Sequence, residues 1–158
     1  MYRNYYGAMM SLCLRYTKNE SDALDVLNTG FLKVFQNIQR YDSGKGSLYT
    51  WIRTVVVRCC LDFIKQKEKE EAHREIEEAV DIQTEADAIS QLEAAQLLHL
   101  VRQLTPSTQA VFNLYVIEGY NHKEIGQLLT ISEGTSKWHL SEARKKLQQM
   151  ITSKEVKV

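Results

Sequence analysis

Apolar residues recur at intervals of three and four positions through much of the chain, the spacing that places them on one face of an α-helix. The most regular stretch runs from Asp22 to Arg40. Its apolar positions predict a helix with a buried stripe formed by Leu24, Leu27, Phe31, Val34 and Ile38. Similar spacing predicts helices over Arg3 to Thr17 and over Ala86 to Leu104.

Two more helices are predicted from length and end signals. Leu48 to Gln66 is long enough for a helix, despite a run of three valines that favours a strand. Thr105 followed by Pro106 is a helix start, a capping residue before a proline at the first helical position. That helix is expected to run to about Ile117, with its inner side at Val111, Leu114 and Tyr115.

The stretch from Lys67 to Glu85 differs from its surroundings, because it is dense in charge and poor in core-forming residues. Such a composition predicts a linker, partly helical at most. The fold class is therefore predicted as all-α. Two small helical domains, residues 1–66 and 89–158, are expected on either side of an acidic linker at 67–88.

A helix-turn-helix is predicted near the C-terminal end. Asn121 to Leu129 forms a short helix, Thr130 to Ser132 a tight turn, and Ser132 to Gln148 a second helix that Ser132 can cap. Gly126 would let the two helices approach closely. The inner face of the second helix is small and apolar and consists of Ser136, Leu140, Ala143 and Leu147. An ordinary helical hairpin in a helical core is the alternative interpretation.

The other side of this second helix is polar, aromatic and basic, a composition able to hydrogen-bond to base edges and to neutralise phosphates. Its residues are Lys137, Trp138, His139, Ser141, Arg144, Lys145 and Lys146. Aromatic and basic residues also alternate at the start of the Leu48 helix, at Tyr49, Arg53 and Arg58, the composition that holds unstacked bases. Trp51 in the same stretch is expected to pack in the core.

Charge supports two contacts with a polyanion, although 20 Lys and Arg balance 20 Asp and Glu in the whole chain. Residues 1–66 hold nine basic and five acidic side chains, and residues 102–158 hold eight and five. The intervening residues 67–101 hold three basic and ten acidic side chains. The zero net charge is therefore a cancellation between two basic blocks and an acidic connector.

Several classes of protein are disfavoured. No apolar run approaches the roughly 20 residues of a membrane span. Three cysteines form no disulfide framework, which suggests a reducing cytoplasm, and the four histidines lack metal-ligand spacing. The loop from Tyr41 to Ser47 lacks the residue order of a phosphate-binding loop. We therefore expect no enzyme activity, no metal and no cofactor.

Two long segments resemble known sequences. The first is DALDVLNTGFLKVFQNIQRYDSGKGSLYTWIRTVVVRCCLDFIK, which resembles region two of the extracytoplasmic-function (ECF) sigma factors of bacterial RNA polymerase. The second is LTPSTQAVFNLYVIEGYNHKEIGQLLTISEGTSKWHLSEARKKLQ, which resembles their region four. Their order and the length of the chain fit this family, which implies a two-domain helical initiation factor.

The resemblance implies roles for three groups of residues. The helix from Asp22 would grip the clamp helices of the largest polymerase subunit through Asp25, Asn28, Thr29 and Leu32. The loop and the start of the next helix would capture a flipped base of the minus-ten promoter element with Lys45, Tyr49, Arg53 and Arg58. The second helix of the helix-turn-helix would bind the minus-thirty-five element through Ser132, Glu133, Thr135, Lys137, Trp138, Ser141, Arg144 and Lys145.

Some positions depart from the family pattern. Asn28 and Thr29 stand where the family typically has Gln and an acidic residue, which weakens the charged part of the polymerase contact. Arg58 stands where Asn is common, so the preferred base is expected to differ. Thr130 replaces a turn residue that is often Gly.

The resemblance implies three kinds of partner: core polymerase (clamp helices and flap), promoter DNA and an anti-sigma factor. Two other functions use the same features. A repressor or activator would bind duplex DNA through the helix-turn-helix without joining the polymerase. A helical interaction protein or adaptor would never contact DNA, so that loss of Lys137 and Arg144 would leave its function intact.

Overall fold

The computed structural model describes the backbone of residues 1–74 and 92–155, and side chains within 1–73 and 94–153. In these ranges the chain is helical and contains no strand, which confirms the all-α prediction. The α-helices are α1 (Tyr2–Tyr16), α2 (Glu20–Gln36), α3 (Leu48–Arg74), α4 (Leu92–Arg102), α5 (Pro106–Phe112), α6 (His122–Leu129) and α7 (Glu133–Glu155). A 3-10 turn spans Ile38–Arg40 and a π-helical segment spans Asn113–Ile117.

The chain divides into two compact units, residues 1–66 and 67–158. Residues 67–74 of the predicted linker continue α3. Residues 75–88, and the predicted start of a helix at Ala86, lie outside the described residues. The boundaries of the linker therefore stay a prediction. No helix in the described ranges is long and apolar enough to cross a bilayer.

In the first unit, α2 packs against α1 and α3. Asn19 begins α2 by accepting a hydrogen bond on its side chain from the amide of Asp22 (2.8 Å). Gly30 allows the close approach of α3, because a Cβ at this position would lie 3.0 Å from Cγ2 of Val56. The buried residues of α2 are Ala23, Val26, Leu27, Gly30, Phe31 and Val34.

The prediction that Leu24 is buried was wrong, since 39% of this residue is exposed. Ala23 and Leu27 are completely buried and lie four positions apart, so they take the inner face. Leu24 lies one position round the helix, on the flank of that face.

The valine-rich part of α3 is helical, as predicted, because packing overrides the strand preference of Val56 and Val57. Both side chains are buried in the first unit, together with Ile52, Cys59, Cys60, Leu61 and Ile64. Trp51 is half-buried and its ring packs against that of Tyr41, with centroids 5.7 Å apart. The aromatic pair fixes the loop before α3 to the helix itself.

In the second unit, α5 begins as predicted, with Thr105 as the capping position and Pro106 as the first helical residue. The helix then widens, and the amide of Glu118 donates to the carbonyl of Asn113 (2.9 Å), a bond that spans five residues. The wider turn shifts the register after Leu114. Tyr115 was predicted to face inward, but it is 37% exposed.

Candidate nucleic-acid interface

The first helix of the helix-turn-helix, α6, begins with a capping box. The side chain of Asn121 accepts from the amide of Glu124 (2.9 Å), and the Glu124 carboxylate accepts from the amide of Asn121 (2.8 Å). Two backbone amides at the start of α6, those of Asn121 and Glu124, thereby have hydrogen-bond partners. This fixes the residue at which α6 starts.

The turn between α6 and α7 depends on two residues. Thr130 adopts a left-handed conformation (φ 58°, ψ 47°), which a β-branched side chain rarely does. A Cβ on Gly126 would lie 2.7 Å from the carbonyl oxygen of Ile131, closer than any ordinary contact. The predicted need for glycine at position 126 is therefore confirmed, since the backbone of the turn lies against it.

The second helix, α7, begins at Glu133, and Ser132 caps it by accepting on Oγ from the amide of Thr135 (3.0 Å). The predicted inner face is buried: none of Ser136, Leu140, Ala143 and Leu147 is more than 7% exposed. Leu100, Val101 and Leu104 complete the cluster that holds Ala143 and Leu147. The capped end and the buried face together fix which side of α7 faces outward.

The predicted groove-facing residues lie on the exposed side of this one helix and at its cap. Trp138 is 59% exposed, with its ring edge-on to His139 at a centroid distance of 4.9 Å. The other exposed members of the set are Ser132, Glu133, Thr135, Lys137, Ser141, Arg144 and Lys145. The arrangement presents two lysines, an arginine, three hydroxyl groups and an indole to a ligand, the donors that base edges and phosphates require.

His139 was grouped with the polar side of α7, and this was wrong. It is half-buried, and its Nδ1 lies 3.0 Å from Oγ1 of Thr108, which is 1% exposed. Burial lowers the pKa of His139 below its ordinary value, which favours the neutral ring. Its position three residues after the buried Ser136 is the signal that could have placed it at the edge of the inner face.

The predicted minus-ten residues occupy the loop and α3 of the first unit. Tyr49 is 41% exposed. Arg53, one turn further along, is half-buried and engaged in contacts within the protein. Arg58 is exposed but follows Tyr49 by nine residues, about two and a half helical turns, so it points to the opposite side of α3. The structure thus brings Tyr49 and Arg53 together and separates Arg58 from them.

The loop before α3 is ordered by its own side chains. The Tyr41 hydroxyl donates to the carbonyl of Gly46 (3.1 Å), and the Asp42 carboxylate accepts from the amide of Gly44 (2.9 Å). Lys45 extends from this loop with 86% of its side chain exposed. Sequence reasoning missed Tyr5, whose ring lies 6.0 Å from that of Tyr49, because no local pattern links α1 to α3.

The predicted polymerase-contact residues are all exposed on α2. Leu32 is 58% exposed, and Asp25 and Thr29 are also exposed. Asn28 is held by α1, since its Oδ1 accepts from the hydroxyl of Tyr2 (3.2 Å). Sequence reasoning missed that the apolar side chains of Leu24 and Phe35 (48% exposed) share this outer surface.

A shallow cavity of about 170 Å³ lies between α2 and α3 beside this surface. Asp25 and Thr29 line its α2 side, and an ion pair between Lys33 and Asp62 (3.4 Å) crosses it. Burial raises the pKa of the Cys59 thiol in its wall, so the thiol stays protonated at neutral pH. Among the described residues there is no cluster of three His, Cys, Asp or Glu able to hold a metal ion.

Comparisons with known proteins identify both units. The family description "Sigma-70 region 2" matches residues 1–70, and "Sigma-70, region 4" matches residues 94–147. Two all-helical units that match in this order define a sigma-70 type transcription initiation factor. The chain belongs to the extracytoplasmic-function group of the sigma-70 family.

Individual relatives agree with this assignment. The chain is 26% identical to the RNA polymerase sigma factor CarQ of Myxococcus xanthus, over 91% of this chain and 83% of the relative. It is 24% identical to the ECF sigma factor SigM of Bacillus subtilis, over 94% and 91%. The fold is similar to that of the sigma factor RpoE of Bartonella quintana, solved with the anti-sigma factor NepR (TM-score 0.67, 18% identity, 96% and 94% covered).

Proposed function

We propose that this chain binds core RNA polymerase through α2, anchors promoter DNA at the minus-thirty-five element through α7, and holds the separated minus-ten strand with the start of α3. The observation that carries the proposal is the outer side of α7. Its polar and basic side chains project from a helix whose cap, turn and inner face are all fixed. Such a rigid recognition helix suits the major groove of duplex DNA.

Within α7, the residues divide by the chemistry of their side chains. Lys137 and Ser141 would hydrogen-bond to base edges, and Arg144 and Lys145 would neutralise phosphates. Trp138 is 59% exposed, and its indole would pack on a sugar or a thymine methyl. Glu133 would accept from a cytosine amino group.

In the first unit, Tyr49 would stack on an unpaired base, with Arg53 beside it and Lys45 reaching the backbone from the loop. A stacked base contributes on the order of 1–3 kcal/mol. Because Arg58 lies on the opposite side of α3 from Tyr49, it would contact a different stretch of the strand. The chain would position and separate DNA, while the polymerase would perform the chemistry.

The polymerase contact on α2 is proposed to rest on apolar burial more than on charge. Leu24, Leu32 and Phe35 expose apolar side chains around the single carboxylate of Asp25 in this set. Each 100 Å² of apolar surface removed from water contributes about 2.5 kcal/mol before the costs of association. The clamp helices of the largest subunit would cover this surface, and the flap would contact the second unit.

An anti-sigma factor is proposed as a further partner. The support is the fold similarity to a sigma factor that was solved bound to its anti-sigma factor. A protein that covered the exposed apolar residues of α2 would block the polymerase contact, which is a simple way to keep the factor inactive.

Run-off transcription with purified core polymerase on a pool of genomic promoters tests the proposal. We expect new, promoter-selective transcripts when the chain is added, and their loss in the L32D variant, which places a charge in the apolar contact. The matched control is Q39A, a change at an exposed polar residue beyond the end of α2. Specific duplex binding by the chain alone, with no effect of core polymerase, would support a repressor or activator in its place.

A further inference from the structure

Ser136 is a polar side chain in the apolar inner face of α7. It is 0% exposed, and its Oγ lies 2.8 Å from Nδ1 of His122, the first residue of α6. A buried hydroxyl costs free energy unless it is hydrogen-bonded, so this bond joins the two helices of the motif at a defined pair of atoms.

His122 is itself held in place. Its ring stacks on that of Tyr115, with centroids 4.6 Å apart and planes inclined by 22°. The capping box of Asn121 and Glu124 fixes the backbone on either side. The imidazole therefore presents its Nδ1 to α7 from a fixed position.

A second bond holds α7 from another element. Thr108 of α5 is 1% exposed, and the Oγ1 of Thr108 lies 3.0 Å from the Nδ1 of His139. The same oxygen accepts from the hydroxyl of Thr105 (2.9 Å). Because Thr108 accepts from Thr105, its own hydroxyl proton is available for donation to His139. The Nδ1 of a neutral imidazole can accept this hydrogen bond.

The two bonds act on the rotation of α7. Ser136 and His139 are three residues apart, and one is bonded to α6 while the other is bonded to α5. Apolar packing fixes the distance between helices, whereas hydrogen bonds of 2.8 and 3.0 Å also fix direction. A rotation of about 20° would move a side-chain tip 5–6 Å from the axis by about 2 Å. That shift exceeds the tolerance of a hydrogen bond to a base edge.

We propose that His122 and Thr108 are positioning residues that set the rotation of α7 through Ser136 and His139, and that this setting determines how sharply the chain discriminates between minus-thirty-five sequences. The inference rests on the proposed DNA-binding role of α7. It predicts that loss of either bond lowers base discrimination more than it lowers affinity for DNA in general, because phosphate contacts tolerate a rotation that base contacts do not.

The test uses the full chain with core polymerase on two promoters that differ only in a matched or scrambled minus-thirty-five element. The ratio of their apparent affinities is measured with T108V, which removes one hydroxyl at nearly constant volume, and with the double variant H122F/S136A. The double variant keeps an aromatic ring against Tyr115 and leaves no unpaired polar group. H99A is the control, since His99 makes a comparable bond, to Gln103, within α4 (2.8 Å).

We expect the ratio to fall about tenfold in both T108V and H122F/S136A, the size of one misplaced base contact, with H99A unchanged. H122Q, whose amide can still pair with Ser136, is expected to retain most of the discrimination. If H122F/S136A or T108V is folded by circular dichroism and keeps the wild-type ratio, the inference is overturned while the proposed function stands. A wild-type chain that does not distinguish the two promoters overturns both.

Discussion

The two units of this sigma factor present their candidate DNA-binding residues in different ways. In the second unit, α7 and its cap hold the whole set, and neighbouring members are separated by one helical turn or less. In the first unit, the set is divided between a loop and two opposite sides of α3. A set on one helix can act as a single rigid surface, whereas a divided set suits a strand that must bend around the protein after the duplex has opened.

Each unit has one tightly packed helical glycine, Gly30 in the first unit and Gly126 in the second, and the two differ in the atoms that lie against them. This difference gives the largest predicted effect. G126A would push a methyl group against the backbone carbonyl of Ile131, which cannot move without breaking the turn. We expect a loss of about 3 kcal/mol in the free energy of unfolding, measured by urea denaturation.

G30A in the first unit is the matched change. The methyl group would meet a side-chain atom of Val56 at 3.0 Å, and alanine is the better helix former, so we expect a loss of at most about 1 kcal/mol. G7A is the control for helix propensity, because a Cβ there would meet open space among the described residues. Equal losses for G126A and G30A would contradict the difference between the units.

The separation of Tyr49 from Arg58 gives the next largest effect. Y49A is expected to weaken the open promoter complex by about 1–3 kcal/mol through loss of one stacked base, and Y49F to have little effect. Because Arg58 lies on the other side of α3, the effects of Y49A and R58A should add within about 0.5 kcal/mol. Complex lifetimes measured on a premelted promoter provide these values, and strong coupling between the two changes would argue against a divided site.

Pairs on α7 are expected to behave differently. Lys137 and Ser141 lie one turn apart on the same exposed side and would contact neighbouring bases of one groove. The effects of K137A and S141A on minus-thirty-five discrimination should therefore be coupled by about 0.5 kcal/mol or more, measured in a double-mutant cycle. Additive effects here would remove the contrast with the first unit.

Arg144 is expected to act through phosphate alone. R144A should weaken binding to matched and scrambled minus-thirty-five elements equally and should lower the slope of log affinity against log salt by about 1. Titrations at several salt concentrations measure this slope. If R144A changes the sequence preference but not the slope against log salt, Arg144 contacts a base and not a phosphate.

The smallest predicted effect concerns pH. The pKa of His139 is lowered by burial, so the folded state binds this proton less readily than the unfolded state does. Its contribution to stability is complete above the unfolded value near 6.5 and falls as the pH drops below it. H139Q should reduce the pH dependence of urea unfolding between pH 7.5 and 5.5, and an unchanged profile would contradict the assigned burial.

Much of the second unit was predictable because its determinants are local. The capping residues Asn121 and Ser132, the close approach at Gly126 and the spacing of Ser136, Leu140 and Ala143 all act within one or two helical turns. The exposed side of α7 follows directly from its buried side. His139 was the exception, because its bond to Thr108 joins residues 31 positions apart.

The misplaced residues in the first unit and in α5 have non-local causes. Whether Ala23 or Leu24 is buried depends on the angle at which α1 and α3 pack against α2, and periodicity leaves both possible. Tyr115 was misplaced because a wider helical turn begins at Asn113, and the segment Asn113–Ile117 contains no proline or glycine to indicate it. The contact between Tyr5 and Tyr49 joins residues 44 positions apart in sequence and depends on the packing of α1 and α3.

The central claim is that the chain opens promoters as part of the polymerase. The most direct test is permanganate reactivity of thymines in the minus-ten element of a promoter found by run-off transcription. We predict reactive thymines only when the chain, core polymerase and both promoter elements are present, and their loss in Y49A and L32D. Protection of the intact duplex by the chain alone, with no thymine made reactive when core polymerase is added, would contradict the account.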